Sequence, residues 1–383
     1  MAMGSKFSEY TLTSPVYFGV GAVADIAEKV KRFGAEKVLL VFDAGVKASG
    51  AAERVIAYLE AGGIGVSTFD DVKPDPTDTS IDALGAIVAR DGIELVIGLG
   101  GGSVLDTAKM AGITVKTPGP MNQHFLSKGF NPPPAIAPVI LIPTTSGSGS
   151  EVSCVAVVSH GDEHIKDAIF ATAAYVILDP ELTVTAPPHV TGFSGLDAMA
   201  HALESYTSAS ADPFSMMASI EAIRLVAENL KTAVDTGTDL EARSNLAFAS
   251  NLAGIAFNNT GLHFGHAFGH ELGGFFGLPH GMASSYAIPV VIRFAAKHAP
   301  ERAAAIAQAI GAPDADAAAQ KMLDLMHYCG VKRFSELGIS VEQAQGIAQG
   351  AIDHNVFFHN TLVPLDLDDF KALIAEIVET YEA

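Results

Sequence analysis

Cysteine is nearly absent from this chain of 383 residues, which contains only Cys154 and Cys329. The two lie far apart and show no Cys-x-x-Cys spacing, which excludes a disulfide framework and a thiolate metal cluster. We therefore predict two buried, inert thiols. Because free thiols are typical of a reducing compartment, we also predict a cytoplasmic location.

Basic residues are scarce as well. There are 23 Lys and Arg against 43 Asp and Glu, a formal net charge of −20. A field of that sign repels nucleic-acid phosphates and anionic membrane surfaces, so we expect neither nucleic acid nor membrane as a partner. Only 17% of the residues are charged and 49% are hydrophobic, which indicates a well-buried globular protein and not a disordered one.

Long hydrophobic runs are also missing. No apolar run approaches the ~18 residues of a membrane span, and the first residues, MAMGSKFSEY, lack the apolar core of a signal peptide. The length predicts two or three domains with a large core. The working hypothesis is a cytoplasmic enzyme.

The first half alternates strand and helix patterns. Short apolar runs rich in β-branched residues predict strands at 38–43, 64–69, 95–100, 139–144 and 175–180. Helical patterns lie between several of them, as at 77–92. Because these runs do not alternate polar and apolar residues, and helices separate them, we predict a mainly parallel sheet covered on both faces.

From about residue 184 the pattern changes to stretches rich in Ala, Leu, Ile and Met at helical spacing. They predict helices at 189–208, 213–232, 239–256, 265–275, 281–297, 300–310, 314–328, 341–352 and 367–381. We therefore predict two domains, an α/β domain at 1–184 and an all-α domain at 185–383.

A glycine-rich turn follows the predicted strand 95–100. Gly100, Gly101 and Gly102 lead into a helix opened by Ser103, and backbone amides at such a turn can bind phosphate oxygens. We add Asp106, on the same helix, to the candidate cofactor-binding residues. The alternative is a plain tight turn, because Ser103 stands where G-x-G-x-x-G has its third glycine.

A second polar loop favours a nucleotide over a plain turn. Thr144, Thr145 and Ser148 offer hydroxyls after the strand 139–144, at the strand end where ligands bind in open α/β sheets. Asp43 ends the strand 38–43, where a carboxylate could bind the adenosine ribose and repel a 2′-phosphate, so NAD is favoured over NADP. Asp43 could instead be only a helix N-cap.

Histidines cluster in the second half. His263, His266, His270 and His280 fall within twenty residues, and an earlier helix carries Asp197 and His201 at i,i+4; we expect His280 in a loop past the helix end. One carboxylate with two or three imidazoles suits Fe²⁺, with Zn²⁺ possible. The alternative is a capping Asp with core histidines.

Five motifs resemble, in the same order, those of the iron-dependent (group III) alcohol dehydrogenases, a family related to glycerol dehydrogenase and dehydroquinate synthase. They are GGGSVLDTAK (100–109), PTTSGSGSEVS (143–153), DPELT (179–183), GLDAMAHALESY (195–206) and HAFGHELGGFFGLPHG (266–281). The resemblance covers nearly the whole chain. It implies an N-terminal α/β dinucleotide-binding domain, a C-terminal all-α metal-binding domain, and an active site in the cleft between them.

The resemblance also assigns roles to residues. It implies that the metal ligands are Asp197, His201, His266 and His280. His270 becomes the unligated histidine near the nicotinamide, to which we assign proton handling or substrate orientation. Lys166 becomes a contact of the ribose. Three further residues are predicted to line the substrate pocket, namely Phe257, His263 and Val356.

The predicted reaction is reversible hydride transfer between NAD(H) and a small primary alcohol or its aldehyde, with the metal acting as a Lewis acid. Two alternatives remain, a dehydroquinate-synthase-like lyase and a non-catalytic NAD-binding subunit stabilised by a metal. We expect a homo-oligomer, a dimer or larger.

Overall fold

The computed structural model describes residues 9–129, 131–161, 166–355 and 358–382. They form two compact units. Residues 12–186 make an α/β unit, and residues 9–11 lie with 187–382 in a helical unit. The sequence divides the chain at 184/185 and places the N-terminal residues in the first domain.

Two contacts explain why residues 9–11 lie with the helical unit. The ring of Tyr10 stacks on Phe214 with the centroids 4.2 Å apart, and the backbone N–H of Thr11 donates to Asn259 Oδ1 at 2.6 Å. Both partners lie more than two hundred residues further along the chain, so no local pattern could show these contacts.

Eight strands lie in the described part of the α/β unit. They are β1 (Val16–Phe18), β2 (Lys37–Val41), β3 (Gly65–Phe69), β4 (Leu95–Gly100), β5 (Val139–Pro143), β6 (Val155–Ser159), β7 (Lys166–Phe170) and β8 (Tyr175–Leu178). Six of them form one sheet in the order β1-β8-β5-β4-β2-β3, and every neighbouring pair in it is parallel. The predicted parallel sheet is confirmed, with all five predicted strands in it.

Strand β4 lies in the middle of this sheet. All six of its residues are buried, which explains its continuously apolar sequence, since helices cover both faces of a parallel sheet. Its Gly98 pairs with Val41 of β2 on one side and with Leu141 of β5 on the other. Because the strands are parallel, β2, β4 and β5 end at the same edge of the sheet.

Strands β6 and β7 form a separate antiparallel pair that the sequence does not predict. Val155 pairs with Phe170 and Ser159 with Lys166. The run VAVVS at 155–159 carries a strand signal, but 166–170 mixes charged and apolar residues and is recognisable only through its pairing.

The described residues of the α/β unit form five α-helices. They are α1 (Ile26–Lys31), α2 (Ala44–Ser49), α3 (Ala51–Ala61), α4 (Asp78–Asp91) and α5 (Gly102–Lys116). Helix α5 begins two residues after β4 ends and is buried from Val104 to Thr114. The glycine turn is therefore held between a buried strand and a buried helix.

Twelve helices make up the described part of the helical unit, which contains no strand. They are α6 (Pro188–Thr207), α7 (Pro213–Asp235), α8 (Leu240–Thr260), α9 (Phe264–Phe276), α10 (His280–Ser285), α11 (Ile288–His298), α12 (Pro300–Ile310), α13 (Ala315–Tyr328), α14 (Phe334–Leu337), α15 (Val341–Gly346), α16 (Ala348–His354) and α17 (Leu367–Glu382). The predicted fold class, an α/β part followed by an all-α part, is confirmed.

Two predicted helices are each divided in the structure. The stretch 281–297 becomes α10 and α11, because Pro289 in the first turn of α11 has no N–H with which to continue a preceding helix. The stretch 341–352 is interrupted at Ile347. Among the described residues, no helix combines the length and the apolar character that crossing a membrane requires.

Neither cysteine is in a disulfide. Cys329 is buried as predicted, whereas Cys154 is only partly buried. Burial raises the pKa of the Cys329 thiol to about 12 and also raises that of Cys154, so both thiols are protonated and weakly nucleophilic at neutral pH.

Candidate metal centre and nucleotide-binding site

One face of helix α6 carries three ionisable side chains. Asp197, His201 and Glu204 follow one another at i, i+4 and i+7, which places them in a row along the helix. They are 4%, 4% and 1% exposed, because α6 is buried without a break from Gly195 to Thr207. Charged groups this deep in a protein need partners or a metal.

Helices α9 and α10 supply the partners. His266 lies in the first turn of α9. His280 is the first residue of α10, whereas the sequence predicts a loop at this position. A Cβ on Gly281 would lie 2.3 Å from the carbonyl oxygen of Phe193. Only glycine therefore lets α10 begin against α6 and place His280 beside Asp197.

These elements bring four potential ligands together. Asp197, His201, His266 and His280 each offer one ligand atom, and the four atoms lie within 4.8 Å of one another. Asp197 Oδ1 is 3.5 Å from His266 Nε2 and 3.4 Å from His280 Nε2. The His201 ring stacks on the His266 ring at a centroid distance of 4.4 Å.

Burial and neighbouring charges set the protonation states. Burial would raise the pKa of Asp197, but His201 and His280 hold it well below its usual range. Burial lowers the pKa of His201 to about 4. For His266, burial acts downward, but Glu204 and Asp197 raise the pKa to about 9. Asp197 and His201 are thus ready to bind a cation, whereas metal binding at His266 must displace a proton.

The residues fit a divalent metal. His266 Nε2 is buried without a hydrogen-bond partner among the described residues, which is costly for an imidazole unless an ion occupies that position. One carboxylate and three imidazoles suit Fe²⁺ or Zn²⁺. The alternative of a capping Asp is wrong, because Asp197 lies in the interior of α6 and not at its N-terminus.

His270 lies beside the four residues and is not one of them. Its ring centroid is 6.0 Å from that of His266 and 5.2 Å from that of His280. His266 and His270 are four residues apart on α9, which corresponds to about 6 Å along the helix axis at a rise of 1.5 Å per residue. His270 Nδ1 is 3.1 Å from Asn355 Nδ2, a contact that orients the ring.

The predicted pocket residues differ in their surroundings. The Phe257 ring lies 4.7 Å from the His201 ring, next to the four-residue group. His263 is 1% exposed and lies at hydrogen-bond distance, 2.8 Å, from Thr207 Oγ1. Val356 lies outside the described residues. A pocket wall of Phe257 and His263 stays a prediction, and His263 makes its polar contacts with protein groups.

Two residues of this site were missed in the sequence. Ser284 Oγ donates to Asp197 Oδ1 at 2.8 Å. Glu204 accepts from His266 Nδ1 at 2.6 Å. For Glu204 a signal existed, since it lies three residues after His201 on the same helix face. For Ser284, 87 residues from its partner, there was none.

On the α/β unit, the two polar loops lie against each other. The backbone N–H of Thr144 donates to the carbonyl oxygen of Gly100 at 3.0 Å. A Cβ on Gly102 would lie 3.1 Å from Ser148 Cβ. The hydroxyl of Ser146 is buried without a partner among the described residues. This narrow cradle at the start of α5 fits the phosphates of a dinucleotide.

The sheet order explains the position of Asp43. It precedes the glycine turn in the sequence, the reverse of the usual order, but β2 and β4 are neighbours in the sheet. The chain leaves β2 toward β3 and leaves β4 toward β5, so the ends of β2 and β4 flank the point where ligands bind in such sheets. Asp43 Oδ1 also caps α2, accepting from the N–H of Val46 at 2.8 Å.

Two predicted cofactor residues have protein partners. Asp106 accepts from Ser150 Oγ at 2.5 Å and from the N–H of Val157 at 3.1 Å, so it fastens the second loop and β6 to α5. Lys166 Nζ lies 2.9 Å from Asp75 Oδ1. Cofactor contacts of Asp106 and Lys166 stay predictions.

An α/β unit able to bind a dinucleotide, followed by a helical unit able to bind one divalent ion, is the make-up of a metal-dependent dehydrogenase. Two family models match the chain. "Iron-containing alcohol dehydrogenase" matches residues 13–180, and "Fe-containing alcohol dehydrogenase family, C-terminal" matches residues 191–378. The chain belongs to the iron-containing alcohol dehydrogenase family.

Individual relatives agree with this assignment. The chain is 36% identical over 314 residues to a 1,3-propanediol dehydrogenase of Klebsiella pneumoniae, covering 81% of each protein. It is 33% identical over 347 residues to an NAD-dependent methanol dehydrogenase of Bacillus methanolicus, covering 88% of this chain and 91% of the relative. A crystal structure of sulfoacetaldehyde reductase from Bifidobacterium kashiwanohense in complex with NAD+ is 28% identical, has a TM-score of 0.90, and aligns over 98% of this chain and 100% of that one.

The predicted resemblance, architecture and enzyme class are therefore confirmed. The predicted cofactors, NAD and iron, agree with the family and with the cluster of four ligands. The findings fit an alcohol dehydrogenase and not the lyase or the non-catalytic subunit.

Proposed function

We propose that this alcohol dehydrogenase transfers a hydride reversibly between NAD(H) and a short primary alcohol or its aldehyde, with one Fe²⁺ held by Asp197, His201, His266 and His280. The observation that carries the proposal is the convergence of four ligand atoms within 4.8 Å. A bound Fe²⁺ supplies Lewis-acid stabilisation of the negative charge that develops on the substrate oxygen.

The residues around this centre have separate tasks. Asp197 supplies the only negative charge of the four ligands. His270 orients the substrate or moves its hydroxyl proton, since its ring lies within 5.2 Å of the His280 ring and an imidazole can accept a proton near neutral pH. Asn355 Nδ2, 3.1 Å from His270 Nδ1, orients this ring.

The α/β unit binds the cofactor. Backbone amides of Gly100, Gly101, Gly102 and Ser103, with the hydroxyls of Thr144, Thr145 and Ser148, are proposed to bind the pyrophosphate. Asp43, at the end of β2, is proposed to bind the adenosine ribose hydroxyls and to disfavour the 2′-phosphate of NADP.

A small neutral substrate is supported by two observations. The Phe257 ring beside His201 offers an apolar surface next to the ligands. Two of the relatives bear names of enzymes that act on a short alcohol, 1,3-propanediol or methanol. We therefore expect short uncharged alcohols to be better substrates than hydroxy acids.

A substrate screen tests the proposal. Protein purified anaerobically, with its metal content measured, is mixed with NADH and a panel of short aldehydes, diols and hydroxy acids, and the NADH absorbance is followed. We expect turnover with at least one short aldehyde. NADH binding without turnover on any member of the panel would contradict the proposal.

Two further expectations concern the cell. A homo-oligomer, a dimer or larger, is proposed from the resemblance alone, and analytical ultracentrifugation would test it. A cytoplasmic location is proposed because neither cysteine is in a disulfide, and cell fractionation would test it.

A further inference from the structure

Glu204 is a buried carboxylate with three hydrogen-bond donors around it. His266 Nδ1 donates to Oε1 at 2.6 Å. The backbone N–H groups of His263 and His266 donate to Oε2 at 2.8 and 3.2 Å. Every one of these partners is a donor, so the position demands a group that only accepts, and an ionised carboxylate is such a group.

The contact with Nδ1 determines what the other ring nitrogen of His266 can do. When metal binding displaces one of the two protons of the imidazolium, Glu204 holds the remaining proton at Nδ1, and Nε2 then has the lone pair that a metal needs. Nε2 is the nitrogen that lies 3.5 Å from Asp197 Oδ1. It is also the atom that is buried without a hydrogen bond.

We infer that Glu204 is the positioning residue of the metal centre, which holds His266 in the tautomer and ring orientation that present Nε2 to the metal. This inference rests on the proposed ligand set. It adds to that set a residue that does not bind the metal, and it explains why a carboxylate lies fully buried next to the ligands.

His263 packs against Glu204 without a hydrogen bond to its carboxylate. Its Nε2 is 2.8 Å from Thr207 Oγ1, whose own proton goes to the carbonyl oxygen of Leu203 at 2.7 Å, so Nε2 donates. Its Nδ1 lies 3.4 Å from Glu204 Oε2 and makes no hydrogen bond among the described residues. The position of Glu204 against His266 therefore rests on the three donors named above.

A glutamine cannot replace Glu204, although it has the same shape. If its oxygen faces the two backbone N–H groups, its NH₂ faces His266 Nδ1, which must then accept, and the proton moves to Nε2, where it blocks the metal. If the amide is reversed, its NH₂ faces two N–H groups and both lose their acceptor. The first arrangement blocks Nε2 directly, and the second leaves two buried N–H groups at the start of α9 without an acceptor, which displaces the ring of His266.

The test measures Co²⁺, which has visible absorption bands that report on its ligands. Co²⁺ affinity and spectrum are compared for the wild type, Glu204→Gln and Glu271→Gln. The last is the matched control, because Glu271 Oε1 also contacts an imidazole, that of His354, at 2.9 Å, outside the four ligands. We expect Glu204→Gln to raise the Kd for Co²⁺ by about 10- to 100-fold and to change the absorption bands, and Glu271→Gln to do neither.

Wild-type Kd and spectrum in Glu204→Gln would overturn the inference. A His266→Ala variant separates this failure from a failure of the ligand set. If His266→Ala loses Co²⁺ binding while Glu204→Gln keeps it, the ligand set stands and the role of Glu204 is wrong. If His266→Ala binds Co²⁺ like the wild type, the ligand set itself is wrong.

A second measurement needs no Glu204 variant, so it decides the matter even if Glu204→Gln does not fold. In the Zn²⁺-loaded wild type, labelled with ¹⁵N-histidine, NMR reports which nitrogen of His266 carries the proton. The resonance is assigned by its loss in His266→Gln. We expect a hydrogen-bonded proton on Nδ1 and metal on Nε2; a proton on Nε2 would overturn the inference.

Discussion

The two units of this protein prepare their sites by opposite means. The helical unit brings ionisable side chains together in its interior, where Asp197, His201 and His266 are each at most 4% exposed. The α/β unit instead has glycines at the turn around Gly102, where a side chain would crowd Ser148, so that backbone N–H groups and hydroxyls remain accessible there. A site made of a few side chains should fail as a whole when one is lost, whereas a cradle of backbone amides should weaken by degrees.

Removing the metal should separate the two sites most sharply. Chelation under anaerobic conditions should abolish turnover, because it removes the Lewis acid that stabilises the charge on the substrate oxygen. NADH binding, followed by fluorescence, should be unchanged, and added Fe²⁺ should restore turnover. Full activity of the metal-free protein would contradict the account.

His270→Ala tests the residue beside the ligands. We expect kcat to fall by roughly 100-fold, the usual effect of removing a general acid or base. NADH binding should change far less than kcat, since the proposed contacts with the pyrophosphate and the adenosine ribose lie on the α/β unit. Wild-type kcat at every pH from about 6 to 10 would show that His270 is only a structural residue.

Gly102→Val tests the cradle. The new Cβ would lie 3.1 Å from Ser148 Cβ, and its methyl groups would enter the space for the phosphates. The loss of one charge-assisted hydrogen bond to phosphate should raise the Kd for NADH by roughly 10- to 100-fold.

The matched control for Gly102→Val is Gly85→Val, in helix α4 of the same unit, where an added Cβ meets no atom within 4 Å. It should bind NADH normally, and both variants should keep their metal. Equal NADH affinity of the two variants would place the phosphates elsewhere.

Asp43 should give the smallest effect, because its substitution removes the proposed ribose contact and the repulsion of a 2′-phosphate but leaves the metal ligands and the phosphate cradle in place. Asp43→Gly and Asp43→Asn should each raise kcat/KM for NADPH relative to NADH by about 10-fold, if ~1.4 kcal/mol of repulsion is lost. Asparagine can keep the cap on Val46, whereas glycine removes it at little cost to the helix. If neither variant changes the ratio, Asp43 is a cap and nothing more.

The fold was largely predictable because its pattern is local. Buried parallel strands such as β4 are continuously apolar, and the helices of the second unit repeat apolar residues at 3.6-residue spacing. The hairpin of β6 and β7 and the contact between Tyr10 and Phe214 depend on residues distant in sequence, so local patterns could not predict them.

The candidate site was also predictable only where its pattern is local. Asp197 and His201, and likewise His266 and His270, are visible through their i,i+4 spacing. The partners of Asp106, by contrast, lie 44 and 51 residues away. A motif shows which residue types a site contains, but the contacts that occupy Asp106 or enclose His263 exist only after folding.

The metal content of two single variants shows whether His266 binds the metal and His270 does not, because the two are the same residue type one turn apart on one helix. Wild type, His266→Ala and His270→Ala are loaded with Fe²⁺ anaerobically, dialysed and analysed by mass spectrometry of the metal. The account predicts about one Fe²⁺ per chain in the wild type and in His270→Ala, and less than roughly a tenth of that in His266→Ala. One Fe²⁺ per chain in His266→Ala, or loss of iron from His270→Ala, would contradict it.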